Sequence, residues 1–173
     1  NLMARADFRF EMVVKKDVLT AMLELAKIEN HELLELCIRS VYNITCEYRE
    51  YNEKMRDLKV ANILIARTNH SNLIPGAKAT TAVKMLCGMA MANISFDKML
   101  AEELVFDRKV SDAAAEIFKL SSDEATYCSA VIMMNLSLLE DSKNLADSKA
   151  IPLLVDIIER GPITCIQMAV ATL

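Results

Sequence analysis

Apolar residues recur along this chain at the three-, four- and seven-residue offsets of one helix face. Val18, Val60, Val110 and Ile151 each open such a stripe. The offsets give Ala21, Met22 and Leu25; Ile63, Leu64 and Arg67; Ala113, Ala114 and Ile117; and Leu154, Val155 and Ile158. Arg67 alone breaks the pattern. A second pattern places an asparagine inside an apolar run, in "VYNIT" at Asn43, "MANIS" at Asn93 and "VIMMNLSLL" at Asn135. An unpartnered buried amide costs about 1–3 kcal/mol, so each of these positions demands either a partner or access to solvent.

The two patterns share one period. The asparagines are 50 and 42 residues apart, and the stripe openings are 42, 50 and 41 apart. Stripe to asparagine is 25, 33 and 25 residues, so the second unit carries eight extra residues between Val60 and Asn93. The polar stretch "TNHSNLIPG", 68–76, ends in Pro-Gly and reads as a surface loop. The chain divides into approximate units 1–47, 48–96 with the insertion at 68–76, 97–138, and an incomplete 139–173.

Each unit reads as a short helix ("DKMLAEELVF"), a stripe helix ("RKVSDAAAEIFKL") and an asparagine helix ("ATYCSAVIMMNLS"). Ser121 and Glu124 have the spacing of a capping box, which predicts the start of the third unit's asparagine helix. Pro152 falls just inside its helix, where a missing N–H does no harm. Gly161-Pro162 separates the last two helices.

Composition agrees with an all-α fold. The chain of 173 residues is long enough for a sizeable core, is 53% hydrophobic, and holds three Gly and three Pro. That is too little turn punctuation for a many-stranded sheet protein. Net charge is −4 with no basic patch, which excludes the usual nucleic-acid footprint. No apolar run approaches the roughly 18 residues of a membrane span. The start at Asn1 and the stop inside "MAVATL" suggest part of a longer protein.

Units of about 42 residues with three helices and an "N-[IL]-[ST]" ending resemble the armadillo repeat. "ADSKAIPLLVDIIERG" is similar to that family's A-I-P-x-L-V segment, with Ser148-Lys149 in place of its Gly-containing turn. The resemblance covers nearly the whole chain and is weakest over 1–16; HEAT repeats are the close competitor. It implies a right-handed α-solenoid of about three and a half to four three-helix repeats, whose asparagine helices line a concave groove.

Columns follow from the asparagine register. Ile44, Ile94 and Leu136 come one residue after; Val41, Met91 and Met133 two before; Leu36, Leu86 and Cys128 seven before. All are expected between units. Cys37, Cys87 and Ser129, six before, form a small-residue column. The asparagine face adds Arg39, Met89 and Val131 four before, and Glu35, Met85 and Tyr127 eight before, with Met134 beside it. In the resembling family the asparagine amide bonds the backbone of an extended peptide, and one amide does carry both a donor and an acceptor. The other role open to it is a tie between its own helix and a neighbouring loop. The candidate groove residues are therefore Asn43, Asn93, Asn135, Arg39, Met89, Tyr127 and Met85. Met fills irregular core gaps, and exposed Met surfaces adapt to partners.

Two family variants fit less well. Importin-α-like repeats place Trp where this chain has Arg39, Met89 and Val131, which argues against nuclear-localisation-signal recognition. A β-catenin-like groove is rich in Lys and Arg, whereas only Arg39 contributes here, so an acidic peptide is not indicated.

Other signals lead nowhere. The five cysteines are odd in number and widely spaced, consistent with reduced thiols. Only His31 and His70 could assist a metal, and zinc spacing is absent. Asn43, Asn69, Asn93 and Asn135 all match N-x-[ST], but only Asn69, in the insertion, reads as accessible to glycosylation. No phosphate loop, nucleophile elbow or H-E-x-x-H occurs, and Glu102-Glu103 reads as a solvated charged face. The expectation is a non-enzymatic scaffold without cofactor or metal, holding a protein or peptide in its groove. Neither nucleic acid nor membrane is an expected partner. The location is expected to be cytoplasmic, with cytoskeletal association one option, and the chain part of a larger complex. The alternatives are a solenoid segment built permanently into a cytoskeletal or ciliary assembly, and a regulatory module joined to a catalytic domain.

Overall fold

The computed structural model describes residues 11, 13, 17–26, 30–46, 48–69, 79–106, 109–140, 142–145 and 149–173. Among these the protein is all-helical and has no strand. The helices are α1 (Val18–Leu25), α2 (His31–Thr45), α3 (Tyr48–Asp57), α4 (Val60–Asn69), α5 (Ala79–Ile94), α6 (Lys98–Phe106), α7 (Val110–Phe118), α8 (Asp123–Ser137), α9 (Ala150–Arg160) and α10 (Ile163–Thr172), with a 3-10 turn at Ser142–Leu145.

Local chemistry sets the helix starts. Asn30 caps α2 by accepting from the Leu33 amide at 2.9 Å. Asp97 accepts from the Leu100 amide at 3.1 Å at the start of α6. Ser122, not Ser121, caps α8, accepting from the Ala125 amide at 3.1 Å. The expected capping box does not form: Ser121 takes a left-handed backbone with φ 56° and makes the turn, and the cap one residue on is a single bond, since Ala125 at its third position has no carboxylate to return one. Gly161 and Pro162 separate α9 from α10 as the spacing predicts. The expected loop at 68–76 begins later than its composition suggests: Thr68 and Asn69 still belong to α4, and the remainder, His70 included, lies outside the described residues.

The helices pack in three rows. α2 lies on α5, α5 on α8 and α8 on α10. α4 lies on α7 and α7 on α9, while α3 lies on α6 and α6 on the 3-10 turn. Each of α1, α4, α7 and α9 also packs on the asparagine-row helix that follows it in sequence. One apolar core runs between the rows.

Burial refines the stripe. In α7 the four expected positions, Val110, Ala113, Ala114 and Ile117, are all buried. In the other stripe helices the buried set lies one residue away. It is Leu19, Met22, Leu23 and Ala26; Ala61, Leu64, Ile65 and Thr68, with the expected Val60 buried as well; and Ala150, Leu153, Leu154 and Ile157. An apolar stripe wider than 100° offers two adjacent registers, and packing selects one. This removes the anomaly at Arg67, which lies off the core line and donates to the Ala26 carbonyl at 2.6 Å. Thr68 takes the core position and satisfies its hydroxyl on the Leu64 carbonyl at 2.9 Å.

The asparagine columns behave similarly. Ile44, Ile94, Leu136, Val41, Met91 and Met133 are buried, as are Cys37, Cys87 and Ser129. Leu36 corrects the expectation for its column: it is 58% exposed, while Cys128 is buried and Leu86 is partly so. Val131, expected on the open face, is buried as well. Glu103 is half-buried rather than fully solvated. Its Oε2 is buried with no hydrogen-bond partner among the described residues, and burial raises its carboxyl against the pull of Arg56 and Lys59.

Asp17 and Lys59 directly precede α1 and α4, with φ of 53° and 52°. An L side chain there costs about 1–2 kcal/mol, and glycine recovers part of it at some cost in unfolded-chain entropy. Lys59 is exposed. Lys59→Gly is therefore expected to raise stability by up to about 1 kcal/mol, read as a higher urea midpoint with an unchanged slope.

Candidate functional site

The repeated asparagines explain their own motif. Asn93 Nδ2 donates to Thr45 Oγ1 at 3.1 Å, and Asn135 Nδ2 donates to Ser95 Oγ at 2.9 Å. Thr45 and Ser95 are the third residues of the preceding N-[IL]-[ST] triplets. Each hydroxyl in turn donates to the carbonyl three residues back in its own helix: Thr45 to Tyr42, Ser95 to Ala92 and Ser137 to Met134, all at 2.7 Å. Spending its proton on the last helical turn leaves the oxygen free to accept the next amide. The asparagine helices thus run in one direction with their C-terminal ends level. This geometry meets the need for a partner through a tie to the neighbouring helix. It occupies the donor of Asn93 and of Asn135, while no bond within the described residues engages either Oδ1.

The measurable consequence is coupling. Asn135→Ala and Ser95→Ala are each expected to cost about 0.5–1.5 kcal/mol. The double variant should cost less than their sum, because both remove one bond. Strict additivity in urea denaturation would show that the bond carries no stability.

A depression of about 450 Å³ crosses the asparagine row, lined by residues of α2, α5, α8 and α10. Its lining takes Tyr42, Ala92 and Asn93 from the C-terminal parts of α2 and α5, Met85 and Met89 from α5, Asp123, Glu124, Tyr127 and Cys128 from the N-terminal part of α8, and Pro162, Thr164 and Cys165 from the start of α10. Of the expected groove residues it brings together Asn93, Met89, Met85 and Tyr127. Tyr127 is 48% exposed, and the two methionines are partly buried against the core. Asn43, Asn135 and Arg39 do not line it. Arg39 is exposed and pairs with Glu35 one turn earlier.

The lining residues missed by sequence reasoning include Tyr42 and the acidic pair Asp123 and Glu124. Tyr42 immediately precedes an asparagine, and Asp123 and Glu124 lie in the first turn of α8, where carboxylates favour the positive helix end. Both positions were legible as local features but not as neighbours.

A larger depression of about 710 Å³ lies between α7, α8 and α9. Its cations are neutralised within the protein: Lys119 by Glu116, Lys149 by Asp112 at 2.9 Å, and Arg160 by Asp156 at 2.8 Å. The Arg160 guanidinium also stands 5.4 Å from the Phe118 ring centre.

Chemically reactive groups are muted. No cluster of three metal-ligating side chains occurs among the described residues. His31 sits in the first turn of α2. Asn69, expected to be accessible, is half-buried and donates to the Lys109 carbonyl at 3.2 Å. All five cysteines are free thiols, of which Cys46 alone is exposed. Burial pushes Cys87 up to about 12 and Cys128 up to about 11, and raises Cys37 and Cys165. A maleimide at neutral pH is therefore expected to label one thiol rapidly in the folded protein, and Cys46→Ser to abolish that labelling. The raised thiols also carry an alkaline signature. Above the ordinary thiol value of 9.0 an unfolded Cys87 loses its proton while the folded one keeps it until about 12. Stability must fall with rising pH across that window, and Cys87→Ala should flatten the fall.

No helix among the described residues is long and apolar enough to cross a membrane. No family model, curated protein or solved structure matches the chain.

Proposed function

We propose that the chain is a non-enzymatic scaffold, cytoplasmic and working within a larger complex. In this reading its helices form a right-handed, armadillo-type α-solenoid that holds a protein or peptide partner along the asparagine row. The observation that carries the reading is the amide-to-hydroxyl tie, repeated in one register from Asn93 to Thr45 and from Asn135 to Ser95. It sits beside an apolar depression crossing the same row. A tied amide retains an acceptor for a partner's backbone N–H.

The test is comparative capture from cell extract with wild type and Met89→Glu. A partner bound by wild type and lost by the variant, at equal helical content and melting temperature, supports the reading. A partner retained by Met89→Glu counts against the row as the binding surface.

The second reading, a segment built permanently into a cytoskeletal or ciliary assembly, draws on a different observation. Ile151 and Val155 of α9, Ile163 and Val170 of α10, and Leu173 just beyond it all stand exposed. Large apolar surface of this kind marks an interface. Concentration-dependent self-association in sedimentation favours this reading, and a monomer at all concentrations favours the first.

A further inference from the structure

Three cations, Lys119, Lys149 and Arg160, line the larger depression between α7, α8 and α9. They come from separate places: the end of α7, the start of α9 and the last turn of α9. Each is more than half exposed, and ion pairs of such groups are weak. Their partners Glu116, Asp112 and Asp156 therefore do not fix them in place. Asp123 and Asp156 are the two carboxylates that share the lining, so its cations outnumber its acids.

One hydroxyl lines the same space with little to hold it. Ser121 is exposed, and its Oγ donates to the Lys119 carbonyl at 3.3 Å, long for a hydroxyl bond. Ser122 beside it is half-buried, and its Oγ is spent capping α8. Ser121 stands before that cap, in a turn with φ 56°, so a group added to its Oγ breaks no helix cap. The carboxylates of Asp123 and Glu124 follow it by two and three residues and are exposed. An acid-directed protein kinase reads that pattern. The acids choose the enzyme and do not build the seat.

We propose that Ser121 is a phosphorylation site whose phosphate is seated by Lys119, Lys149 and Arg160. The Ser121 Oγ attacks the terminal phosphorus of a nucleoside triphosphate held by an acid-directed kinase. The new O–P bond forms as the bridging P–O bond breaks. The nucleoside diphosphate leaves, and the hydroxyl proton passes to the kinase's base. The phosphate carries a charge of about −1.5 to −2 and three strong acceptor oxygens. It therefore outcompetes single carboxylates for exposed cations. Lys149 and Arg160 both belong to the α9 side, so the modification clips α9 to the turn between α7 and α8. This goes beyond the scaffold reading and does not depend on what the asparagine row holds.

The test treats the folded protein with a casein-kinase-type acid-directed kinase and ATP. Mass spectrometry locates the phosphoryl group, and phosphorus NMR titrates it. One group is expected on Ser121 and none in Ser121→Gly, a substitution that φ 56° accommodates. The second pKa of the phosphate, ordinarily about 6, should fall to about 5 beside the cations. It should return toward its ordinary value in Lys149→Gln/Arg160→Gln. It should stay low in Lys98→Gln, which removes an exposed lysine of α6. The phosphorylated protein should also melt at a higher temperature than the unmodified one, a gain that the double variant loses. Melts of the unmodified variants verify that each is folded. A protein left unmodified, or modified on Ser122 or elsewhere instead, overturns the proposal. So does a phosphate on Ser121 whose pKa and melting gain are indifferent to Lys149→Gln/Arg160→Gln.

Discussion

Met133→Ala should destabilise the protein by about 2–5 kcal/mol, the range for removing a long buried side chain from a packed interior. Met133 is buried in α8, two residues before Asn135, in the same column as Val41 and Met91. That column belongs to the helices stacked in the asparagine row, so truncation opens a void between neighbouring helices. Such a void can close only by moving a whole helix. The check is urea denaturation, with the loss appearing in the midpoint at unchanged slope. Asn135→Ala, two residues on and off the packing column, should lose far less. Equal losses for the two variants would mean that the asparagine tie holds the interface and the methionine merely lines it.

The second large effect is expected from Gly88→Val. A Cβ on Gly88 would lie 3.0, 3.1 and 3.3 Å from three side-chain carbons of Ile117, at the contact of α5 with α7. Both residues are buried. Alanine tests the contact gently, because its gain in helix propensity of about 1 kcal/mol opposes the close approach. Gly88→Ala should therefore be nearly neutral. Valine adds two further methyl groups in a space already filled, and overpacking of this kind costs about 1–3 kcal/mol. The decisive measurement is Gly88→Val in an Ile117→Ala background. The pair should be more stable than the sum of the single losses predicts, since each change relieves the fault of the other. Additive losses would place the strain elsewhere.

Much of this architecture is legible in the residues, and the failures have physical causes. The three kinds of helix, the Gly161-Pro162 break and the buried columns at Ile44, Ile94 and Leu136 follow from periodicity and turn chemistry. The stripe register misses by one at Leu19, Ala61 and Ala150 because a broad apolar face reads equally well in two adjacent lines. Leu36 misleads because periodicity reports the face a residue shares, not whether a neighbour covers that face. The N-x-[ST] triplets carried the most information and were the easiest to misread. Taken singly they resemble an acceptor for sugar. Taken as a column, their hydroxyls are the acceptors for the next asparagine. The depression was half legible: Met85, Met89 and Asn93 share one face of α5, whereas Tyr42, Glu124 and Thr164 come from three other helices. Their adjacency arises only when the row is assembled.

The asparagine ties also decide how such a stack can flex. Along the asparagine row, hydrogen bonds of 3.1 and 2.9 Å hold the helix ends at fixed spacing. Between α7 and α9 the buried contact is apolar, and its directional contacts, the Lys149–Asp112 ion pair and Arg160 over the Phe118 ring, lie at the solvent-exposed margin where they are weak, so small sliding costs little there. Curvature should therefore change by pivoting about the tied edge, as a hinged strip bends along its seam. The depression lies beside that seam, where a change of curvature moves its walls least. Breaking both ties, in Asn93→Ala/Asn135→Ala, should broaden the distribution of end-to-end distances measured by spin labels on α2 and α10. An unaltered distribution would show that apolar contact alone sets the stiffness of the stack.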